Sequence, residues 1–243
     1  MRIWIFDFDG TTATESTNCA TTQLDSACDA ILRRLADSSV DQVVIISDRN
    51  IYDIAERINI PGVIIGGCNG IEWQLPSGYR IGPFREHEDD LIRCRLKILP
   101  ELSKIVSGAG IELDDKLWSI AVDTNQLNYN DWVNVENKIC TWSKKHDLTV
   151  NYGLDRIDIQ LIPGFNKSIG ISYLARVFNI DPITDSIIYA GDDESDTVAM
   201  WWTMLFGGTA IMVGNDFQVH GANYAQDSTA LVELIMNIVR CHE

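Results

Sequence analysis

Apolar runs and amphipathic segments alternate in the first part of the chain. The apolar runs at 2–8, 42–47 and 62–67 are typical of strands that are buried on both faces, as in a parallel sheet. Between them, residues 24–36 and 50–58 repeat apolar side chains at helical spacing. The resulting β-α-β-α-β order predicts a parallel sheet with right-handed crossovers.

The last part of the chain has the same rhythm. Helices are predicted at 167–178, 194–202 and 228–239, and strands are predicted at 186–191 and 209–214. Together with the first part, these elements predict an α/β fold built on a doubly wound, Rossmann-like parallel sheet.

The middle of the chain follows a different pattern. Residues 71–82 predict a hairpin that turns at Pro76, and residues 84–107 predict helical structure that Pro100 breaks or bounds. Further antiparallel strands and one amphipathic helix are predicted at 111–115, 117–124, 131–146, 148–153 and 155–162. This mixture of strands and helices is typical of an α+β insert.

The change of pattern predicts two domains. We expect a core formed by residues 1–80 and 162–243, and an α+β cap formed by residues 81–161. A chain of 243 residues suits one large domain with such an insert, and 46% hydrophobic residues allow a sizeable core. No run of about 18 uncharged apolar residues occurs, so no membrane span is expected.

The charge and the cysteines limit the partners and the compartment. The net charge of −16 argues against nucleic acid or an anionic membrane as a partner, because both attract basic surfaces. The six cysteines lack Cys-x-x-Cys spacing, which indicates free thiols in a reducing compartment. The first residues lack the layout of a signal peptide, so a cytoplasmic location is expected. A monomer or a weak dimer is expected as well.

Two predicted strands end in carboxylates. Asp7 and Asp9 close the first strand, and Asp192, Asp193 and Asp196 follow the strand at 186–191. Because the carboxyl ends of parallel strands share one edge of a sheet, we expect these five side chains to meet there. Clustered carboxylates repel one another, and hard oxygen ligands in this number suit Mg²⁺.

The same sheet edge offers groups for phosphate chemistry. A carboxylate of the Asp-x-Asp pair can attack phosphorus as a nucleophile, and the other can serve as acid and base. Gly10 allows a sharp turn whose amides face phosphate oxygens. Ser47 at a strand end and Lys167 at a helix start add a hydroxyl group and a positive charge.

Four motifs stand in a characteristic order: "DFDGT", "VVIISDR", "PGFNKS" and "YAGDDESD". Their order, spacing and strand placement resemble the haloacid dehalogenase (HAD) superfamily of aspartate-nucleophile phosphohydrolases. The cap lies between the second and third motifs, as it does in members with large α+β caps. Within that branch, "SDRN", "GCNGIEW" and "LDDKLWSIAVD" are similar to stretches of trehalose-6-phosphate phosphatase and related sugar phosphatases.

The resemblance implies a role for each acidic residue. Asp7 corresponds to the nucleophile and Asp9 to the general acid and base. Mg²⁺ would be held by Asp7, by Asp9 through its carbonyl group, and by Asp192, with Asp193 and Asp196 supporting the metal or its water.

The resemblance also implies the residues that hold the substrate. Ser47, Lys167 and Gly10 would bind the phosphate group. The side chains expected to contact the rest of the substrate are Arg49, Asn69, Glu72, Asp115, Lys116 and Ser119.

The sequence departs from the family pattern at three places. Asp48 replaces a glycine and adds a negative charge beside the predicted phosphate site, and Asp115 replaces a glutamate. An acid usual in the cap hairpin is absent at Ile159 and stands one residue earlier, at Asp158. Since a slip of one residue turns a strand side chain to the other face, the specificity is expected to be affected.

The sequence therefore predicts a Mg²⁺-dependent phosphatase that acts on a small sugar phosphate through an aspartyl-phosphate. Trehalose-6-phosphate is one candidate substrate, and other hexose or glycosyl phosphates remain open. A phosphotransferase or phosphomutase on the same scaffold is the alternative. A non-catalytic sugar-phosphate sensor is less favoured, because Asp9, Ser47 and Lys167 are all present.

Overall fold

The computed structural model describes residues 1–14, 22–107, 111, 113–152, 156–215 and 217–240. The strands, in chain order, are β1 (Arg2–Asp7), β2 (Asp41–Ile46), β3 (Ile64–Gly67), β4 (Glu72–Gln74), β5 (Arg80–Ile81), β6 (Leu113–Asp115), β7 (Ser119–Asp123), β8 (Thr149–Tyr152), β9 (Arg156–Gln160), β10 (Ser186–Gly191), β11 (Thr209–Val213) and β12 (Asn223–Ala225). The α-helices are α1 (Ser26–Ala36), α2 (Ile51–Arg57), α3 (Glu88–Val106), α4 (Tyr129–His146), α5 (Lys167–Val177), α6 (Thr197–Leu205) and α7 (Ser228–Arg240).

The chain divides into two compact units. One comprises Met1–Pro83 together with Asn166–Glu243, and the other comprises Phe84–Phe165. The first unit is therefore discontinuous in sequence, and the second is inserted between its two parts.

The first unit is built on an eight-stranded sheet with the order β12-β11-β10-β1-β2-β3-β4-β5. The strands from β12 to β3 pair in parallel. The hairpin predicted at 71–82 is formed by β4 and β5, which pair antiparallel at one edge of the sheet. Alternate residues of β1 enter different apolar clusters: Trp4 and Phe6 belong to one, and Ile3 and Ile5 to the other. Both faces of the sheet are covered, which confirms the predicted doubly wound α/β fold.

The register of the central strands brings their carboxyl ends together. Strand β1 lies between β10 and β2, with Asp7 opposite Ile46 and Phe6 opposite Ala190. The residues that follow β1, β2 and β10 therefore emerge side by side at one edge of the sheet.

The second unit contains a four-stranded antiparallel sheet and two helices. The strand order is β6-β7-β9-β8, and α3 and α4 are the long helices of this unit. Strand β9 alternates buried and half-buried residues, with Ile157 and Ile159 buried. Residues 112 and 153–155, which fall within the predicted strands and hairpin, lie outside the described residues.

One local prediction is wrong, and one short strand was missed. Helix α3 continues through Pro100 instead of ending there. Because Pro100 is exposed, the backbone carbonyl that it leaves without a helical partner can be solvated. The sequence pattern also missed β12, a strand of three residues of which only Ala225 is buried.

Two sequence expectations concern the membrane and the cysteines. No helix formed by the described residues combines the length and the apolar character that a membrane span needs. Cys28, Cys68, Cys94 and Cys140 carry free thiols, and the other two cysteines, Cys19 and Cys241, lie outside the described residues.

Candidate active site at the carboxyl ends of the core strands

Lys167 joins two carboxylates from different parts of the chain. It is the first residue of α5, and its Nζ lies 2.6 Å from Asp7 Oδ1 and 2.6 Å from Asp196 Oδ1. All three residues are buried, with exposed fractions of 3%, 5% and 0% for Lys167, Asp7 and Asp196. One ammonium group is thus shared by two buried carboxylates at the predicted sheet edge.

Asp196 accepts hydrogen bonds on both of its oxygens. Its Oδ1 accepts from Lys167 and from the hydroxyl group of Tyr189, a fully buried residue of β10. Its Oδ2 accepts from the backbone N–H groups of Asp192 and Asp193, at 3.1 and 3.2 Å. Asp196 therefore fixes the position of Lys167 and the shape of the loop that follows β10.

Asp192 lies against the turn that follows β1. Thr11 donates a hydrogen bond from Oγ1 to Asp192 Oδ1 at 2.7 Å. Gly10 has a φ of 75°, and a Cβ placed on it would lie 2.0 Å from Asp192 Oδ2. Only a glycine fits there, because the left-handed backbone and the carboxylate exclude a side chain. Thr12 also donates to the backbone oxygen of Asp7, at 2.8 Å.

Burial controls the protonation of this cluster. Burial raises the pKa of Asp7 well above its usual value, the Lys167 ammonium lowers it in part, and Asp196 and Asp192 raise it further. Burial likewise raises the pKa of Asp192 to about 7 and raises the pKa of Asp196. Burial alone would lower the pKa of Lys167, but Asp196 and Asp7 outweigh it and hold that pKa well above its usual value.

Three of the predicted metal ligands form one group. Asp7, Asp192 and Asp196 each bring a carboxylate oxygen within 4.8 Å of the others. Asp9 and Asp193 do not belong to this group. The side chain of Asp193 accepts hydrogen bonds from Asp196 N and Ser195 Oγ, at 3.1 and 2.7 Å. The group of three offers the hard oxygen donors that suit Mg²⁺, and it has more negative charge than one lysine balances.

Asp9 has a different partner. Arg49 donates two hydrogen bonds to its carboxylate, from Nε to Oδ2 at 2.7 Å and from Nη2 to Oδ1 at 2.6 Å. Arg49 also donates from Nη1 to Asp53 Oδ2 at 2.8 Å. Arg49 was predicted to contact substrate, and the structure gives its guanidinium two carboxylate partners within the core.

Ser47 follows β2 at the same edge of the sheet as Asp7. Its side chain is buried, and its Oγ accepts a hydrogen bond from the backbone N–H of Arg49 at 3.1 Å. The backbone N–H of Asn69 donates to the backbone carbonyl oxygen of Ser47 at 2.8 Å. Asp48, the residue that replaces a glycine, is half-buried. Burial and, to a smaller extent, the charge of Asp48 raise the pKa of Asp193, but Lys167 and the hydrogen bonds from Ser195 and Asp196 outweigh them and lower that pKa below its usual value.

Asn69 lies in a turn that is packed tightly against the start of α5. It has a φ of 60°, and its buried Oδ1 has no hydrogen-bond partner among the described residues. A Cβ on Gly170 would lie 2.3 Å from the backbone oxygen of Asn69 and 2.8 Å from the Cα of Gly70. The turn and the helix that begins at Lys167 are therefore in backbone contact. Glu72, the other predicted contact on the core, is buried on β4.

The three predicted substrate residues of the second unit lie around the β6–β7 turn. Asp115 accepts two hydrogen bonds from the guanidinium of Arg95 and a third from the backbone N–H of Leu117 at 3.1 Å. Lys116 is buried, and its backbone N–H donates to the backbone carbonyl oxygen of Ser119 at 2.9 Å. Leu117 has a φ of 74°, so the turn holds a side chain in the left-handed region.

The shifted acid of the hairpin lies on the other face of β9 from its neighbour. Ile159 is fully buried, whereas Asp158 is half-buried and pairs with Arg156, whose Nη2 lies 2.8 Å from Asp158 Oδ1. The alternation of β9 therefore places Asp158 away from the apolar side that Ile159 faces.

Sequence reasoning missed three residues that contact this cluster. Thr11 and Thr12 are buried hydroxyls that hold Asp192 and the backbone of Asp7, and their place directly after Gly10 was the available signal. Tyr189 was counted as an apolar strand residue. The signal for its role was a phenol group three positions before Asp192 in an otherwise apolar strand.

Comparison with known proteins agrees with the motifs. The trehalose-phosphatase family model matches residues 5–213. A trehalose-phosphate phosphatase of Mycobacterium tuberculosis is 23% identical over 200 residues, which is 79% of this chain and 48% of that protein. The chain thus spans about half the length of such relatives.

Solved structures share the fold. The crystal structure of a trehalose-6-phosphate phosphatase related protein has a TM-score of 0.80 at 17% identity and covers 97% of this chain and 96% of its own. A haloacid dehalogenase-like hydrolase from Bacteroides thetaiotaomicron has a TM-score of 0.70 at 16% identity, covering 98% of this chain and 99% of its own. The predicted resemblance to capped HAD-type proteins is confirmed.

Proposed function

Since the chain belongs to the trehalose-phosphatase family, we propose that it hydrolyses a sugar phosphate through an aspartyl-phosphate intermediate, with Mg²⁺ as its cofactor. The observation that carries the proposal is the buried bridge from Asp7 through Lys167 to Asp196, with Asp192 beside it. Such an arrangement supplies a carboxylate nucleophile, a fixed positive charge and oxygen ligands at the edge of a parallel sheet.

The reaction has two displacements at phosphorus. A carboxylate oxygen of Asp7 forms a bond to phosphorus while the bond from phosphorus to the sugar oxygen breaks. Asp9 carries a proton at the start of this step, gives it to the departing oxygen and becomes the carboxylate that Arg49 binds in the structure. Asp9 then takes a proton from a water molecule whose oxygen forms a bond to phosphorus. The bond from phosphorus to the Asp7 oxygen breaks in this step, which releases inorganic phosphate and regenerates the Asp7 carboxylate. Ser47 and Lys167 bind phosphate oxygens. Because Gly10 has no side chain, the Asp192 carboxylate can lie directly against the turn that follows β1.

Asp7, Asp192 and Asp196 would hold the metal ion. Their buried oxygens lie within 4.8 Å of one another, and the pKa values of all three are raised, so a divalent cation would relieve the repulsion between their charged forms. When bound, Mg²⁺ would offset the negative charge of the phosphate in the transition state. The side chains of Asp9 and Asp193 are not proposed as ligands of the metal ion.

The substrate is proposed to be a phosphorylated sugar, with trehalose-6-phosphate as the first candidate. The unpartnered Oδ1 of Asn69 is an acceptor for a sugar hydroxyl group at the same edge as Lys167. Glu72, Asp115, Lys116 and Ser119 are retained as proposed sugar contacts from the family resemblance. The cytoplasmic location, the monomeric or weakly dimeric state and the absence of nucleic-acid and membrane partners stay predictions.

A substrate panel tests the proposal. Release of inorganic phosphate would be measured from trehalose-6-phosphate, other hexose phosphates and an aryl phosphate, each with Mg²⁺ and with EDTA, and substrates would be ranked by kcat/KM. We expect release only with Mg²⁺, and a sugar phosphate as the best substrate. Transfer of phosphate to an added sugar in place of release would identify a phosphotransferase. Undiminished release in EDTA after exhaustive metal removal would refute the metal assignment.

A further inference from the structure

Arg49 is buried, and other residues of the core hold its guanidinium in place. It is 8% exposed, and its guanidinium lies over the ring of Phe8, with Cζ 5.8 Å from the ring centre. Three of its nitrogen atoms donate to carboxylates, two of them to Asp9 and one to Asp53. A planar guanidinium bound on both sides has one orientation, and it gives the Asp9 carboxylate one orientation as well.

Asp53 is in turn held in place by α2. Its backbone N–H is capped by Asn50 Oδ1 at 2.9 Å, and its Oδ1 accepts from Nε and Nη2 of Arg57 at 3.0 and 2.8 Å. Burial raises the pKa of Asp53, but the hydrogen bonds from Arg57 and Arg49 outweigh it and keep the pKa below its usual value. Asp53 is therefore a charged carboxylate held in place on α2, and Arg49 lies between it and Asp9.

We propose that Arg49, anchored by Asp53, is a positioning residue that orients Asp9 toward the leaving oxygen of the substrate. The inference rests on the proposed function, because it assigns a supporting part to the proposed acid and base. Among the described residues, the side chain of Asp53 accepts hydrogen bonds from Arg49 and Arg57, and not from Lys167. Its effect on the reaction therefore passes through Arg49.

The proposal predicts a dependence on the leaving group. When Asp7 attacks phosphorus, a departing sugar alkoxide must receive a proton from Asp9, whereas a nitrophenolate departs as a stable anion without one. The value of kcat/KM reports the steps up to departure of the leaving group. A badly oriented Asp9 therefore lowers kcat/KM for a sugar phosphate and leaves kcat/KM for 4-nitrophenyl phosphate nearly unchanged. A general weakening of the site would lower both.

The test compares Asp53→Asn with Asp29→Asn. Asp29 accepts two hydrogen bonds from Arg33 on α1, at 2.8 and 2.9 Å, in the i,i+4 spacing that Asp53 and Arg57 also have. Among the described residues, its side-chain partner is Arg33 and not Asp9 or Arg49. We expect Asp53→Asn to lower kcat/KM for the best sugar phosphate by about 10-fold, a part of the 10²–10⁴-fold typical of general acid catalysis, and to change that for 4-nitrophenyl phosphate by less than about 2-fold. Asp29→Asn is expected to change neither.

Two further variants separate orientation from folding. Asp53→Glu keeps a carboxylate for Arg49 and is expected to recover most of the activity toward the sugar phosphate. Arg49→Lys cannot make the double hydrogen bond to Asp9 and is expected to repeat the selective loss. Thermal unfolding of each variant identifies any loss of the fold.

The outcomes distinguish this inference from the proposed function. Equal losses on both substrates, no loss on either, or a gain on the sugar phosphate with Asp53→Asn would each overturn the orienting role. A wild-type protein that releases phosphate from neither substrate with Mg²⁺ present would overturn the proposed function itself, and this inference with it.

Discussion

The ammonium nitrogen of Lys167 lies 2.6 Å from Oδ1 of Asp7, although the two residues are 160 positions apart in the chain. The contact forms because α5 begins where β1 ends, at the carboxyl edge of the core sheet. A second carboxylate, Asp196, lies at the same distance from the same nitrogen. This buried triad of two carboxylates and one ammonium group is the centre of the proposed site. Three predictions follow from the triad and its surroundings, and a fourth concerns the opposite end of β1.

Replacement of Asp7 by asparagine tests the nucleophile. The amide has nearly the same shape as the carboxylate, but it does not form the acyl-phosphate bond that the mechanism needs. We expect Asp7→Asn to lower kcat with the best substrate by about 10³-fold or more, in the range found for removal of catalytic nucleophiles. Phosphate release and thermal unfolding would be measured together. Turnover within a few-fold of the wild type would remove the nucleophile assignment.

Replacement of Lys167 by alanine tests the energetics of the triad. The change leaves Asp7 and Asp196 buried with their balancing charge removed, and breaking a buried ion pair from one side costs about 3–5 kcal/mol. The free energy of unfolding would be measured with urea in the absence of Mg²⁺. Lys104, an exposed residue of α3, is the control, and Lys104→Ala is expected to change that free energy by less than about 0.5 kcal/mol. Equal effects of the two changes would contradict the triad.

Replacement of Gly10 by alanine tests the place of Asp192. The new Cβ would collide with Asp192 Oδ2, so the carboxylate must leave the position in which it lies within 4.8 Å of the carboxylate oxygens of Asp7 and Asp196. We expect kcat/KM to fall by about 100-fold or more, because misplacing a catalytic group by about 1 Å has effects of that size.

Gly78→Ala is the matched control for the glycine prediction. Gly78 has a φ of 81°, close to that of Gly10, but a Cβ there would meet nothing within 4 Å. Its replacement carries the strain of a left-handed alanine, about 1 kcal/mol, without the collision. We expect normal activity and a slightly lower melting temperature. A similar loss of activity in both variants would show that backbone strain, and not Asp192, is the cause.

Replacement of Asp41 by asparagine tests the stability of the opposite end of β1. Asp41 accepts from Nε and Nη2 of Arg2 at 2.6 and 2.8 Å, and from Nε1 of Trp4 at 2.8 Å. Burial raises its pKa, but the hydrogen bonds from Arg2, Ser38 and Trp4 outweigh it and lower the pKa below its usual value. The charged form therefore stabilises the folded state at neutral pH.

The pH dependence of that variant follows from the sign of the shift. A carboxyl with a lowered folded-state pKa contributes stability above its unfolded pKa of about 3.9, and the contribution is lost as the pH falls through the folded value. We expect the wild type to exceed Asp41→Asn by about 1–3 kcal/mol in free energy of unfolding near pH 7, and this gap to shrink on acidification below about pH 4. Urea unfolding at several pH values measures it, and a gap that widens on acidification would contradict the sign.

The sequence predicted the framework of the site because apolar runs and topology determine it. Once β1 and β10 were identified as buried parallel strands, Asp7 and Asp192 had to emerge at one edge. The position of Lys167 followed in the same way from the start of a helix. These positions depend on backbone order, which hydrophobic periodicity reports directly.

The side-chain partners were beyond the reach of the sequence pattern. Nothing in "SDRN" distinguishes an arginine that faces substrate from one that binds Asp9 and Asp53, because the choice depends on rotamers and on packing over Phe8. Tyr189 fits an apolar strand equally well with or without a carboxylate near its hydroxyl group. Hydrophobic periodicity indicates on which face of a strand or helix a side chain lies. It does not indicate which polar atom that side chain will contact.

The close approach of Gly70 and Gly170 holds the turn that contains Asn69 directly against α5, the helix that begins at Lys167. Since neither position has room for even a methyl group, the backbone there cannot be remodelled without separating the two. In the proposed function, a sugar bound at Asn69 therefore contacts a turn whose backbone touches the helix that begins with Lys167. On the proposed assignment of Asn69 to the sugar, adaptation to a different sugar at this turn would come from exchanging that side chain, while the main chain beneath it stays the same.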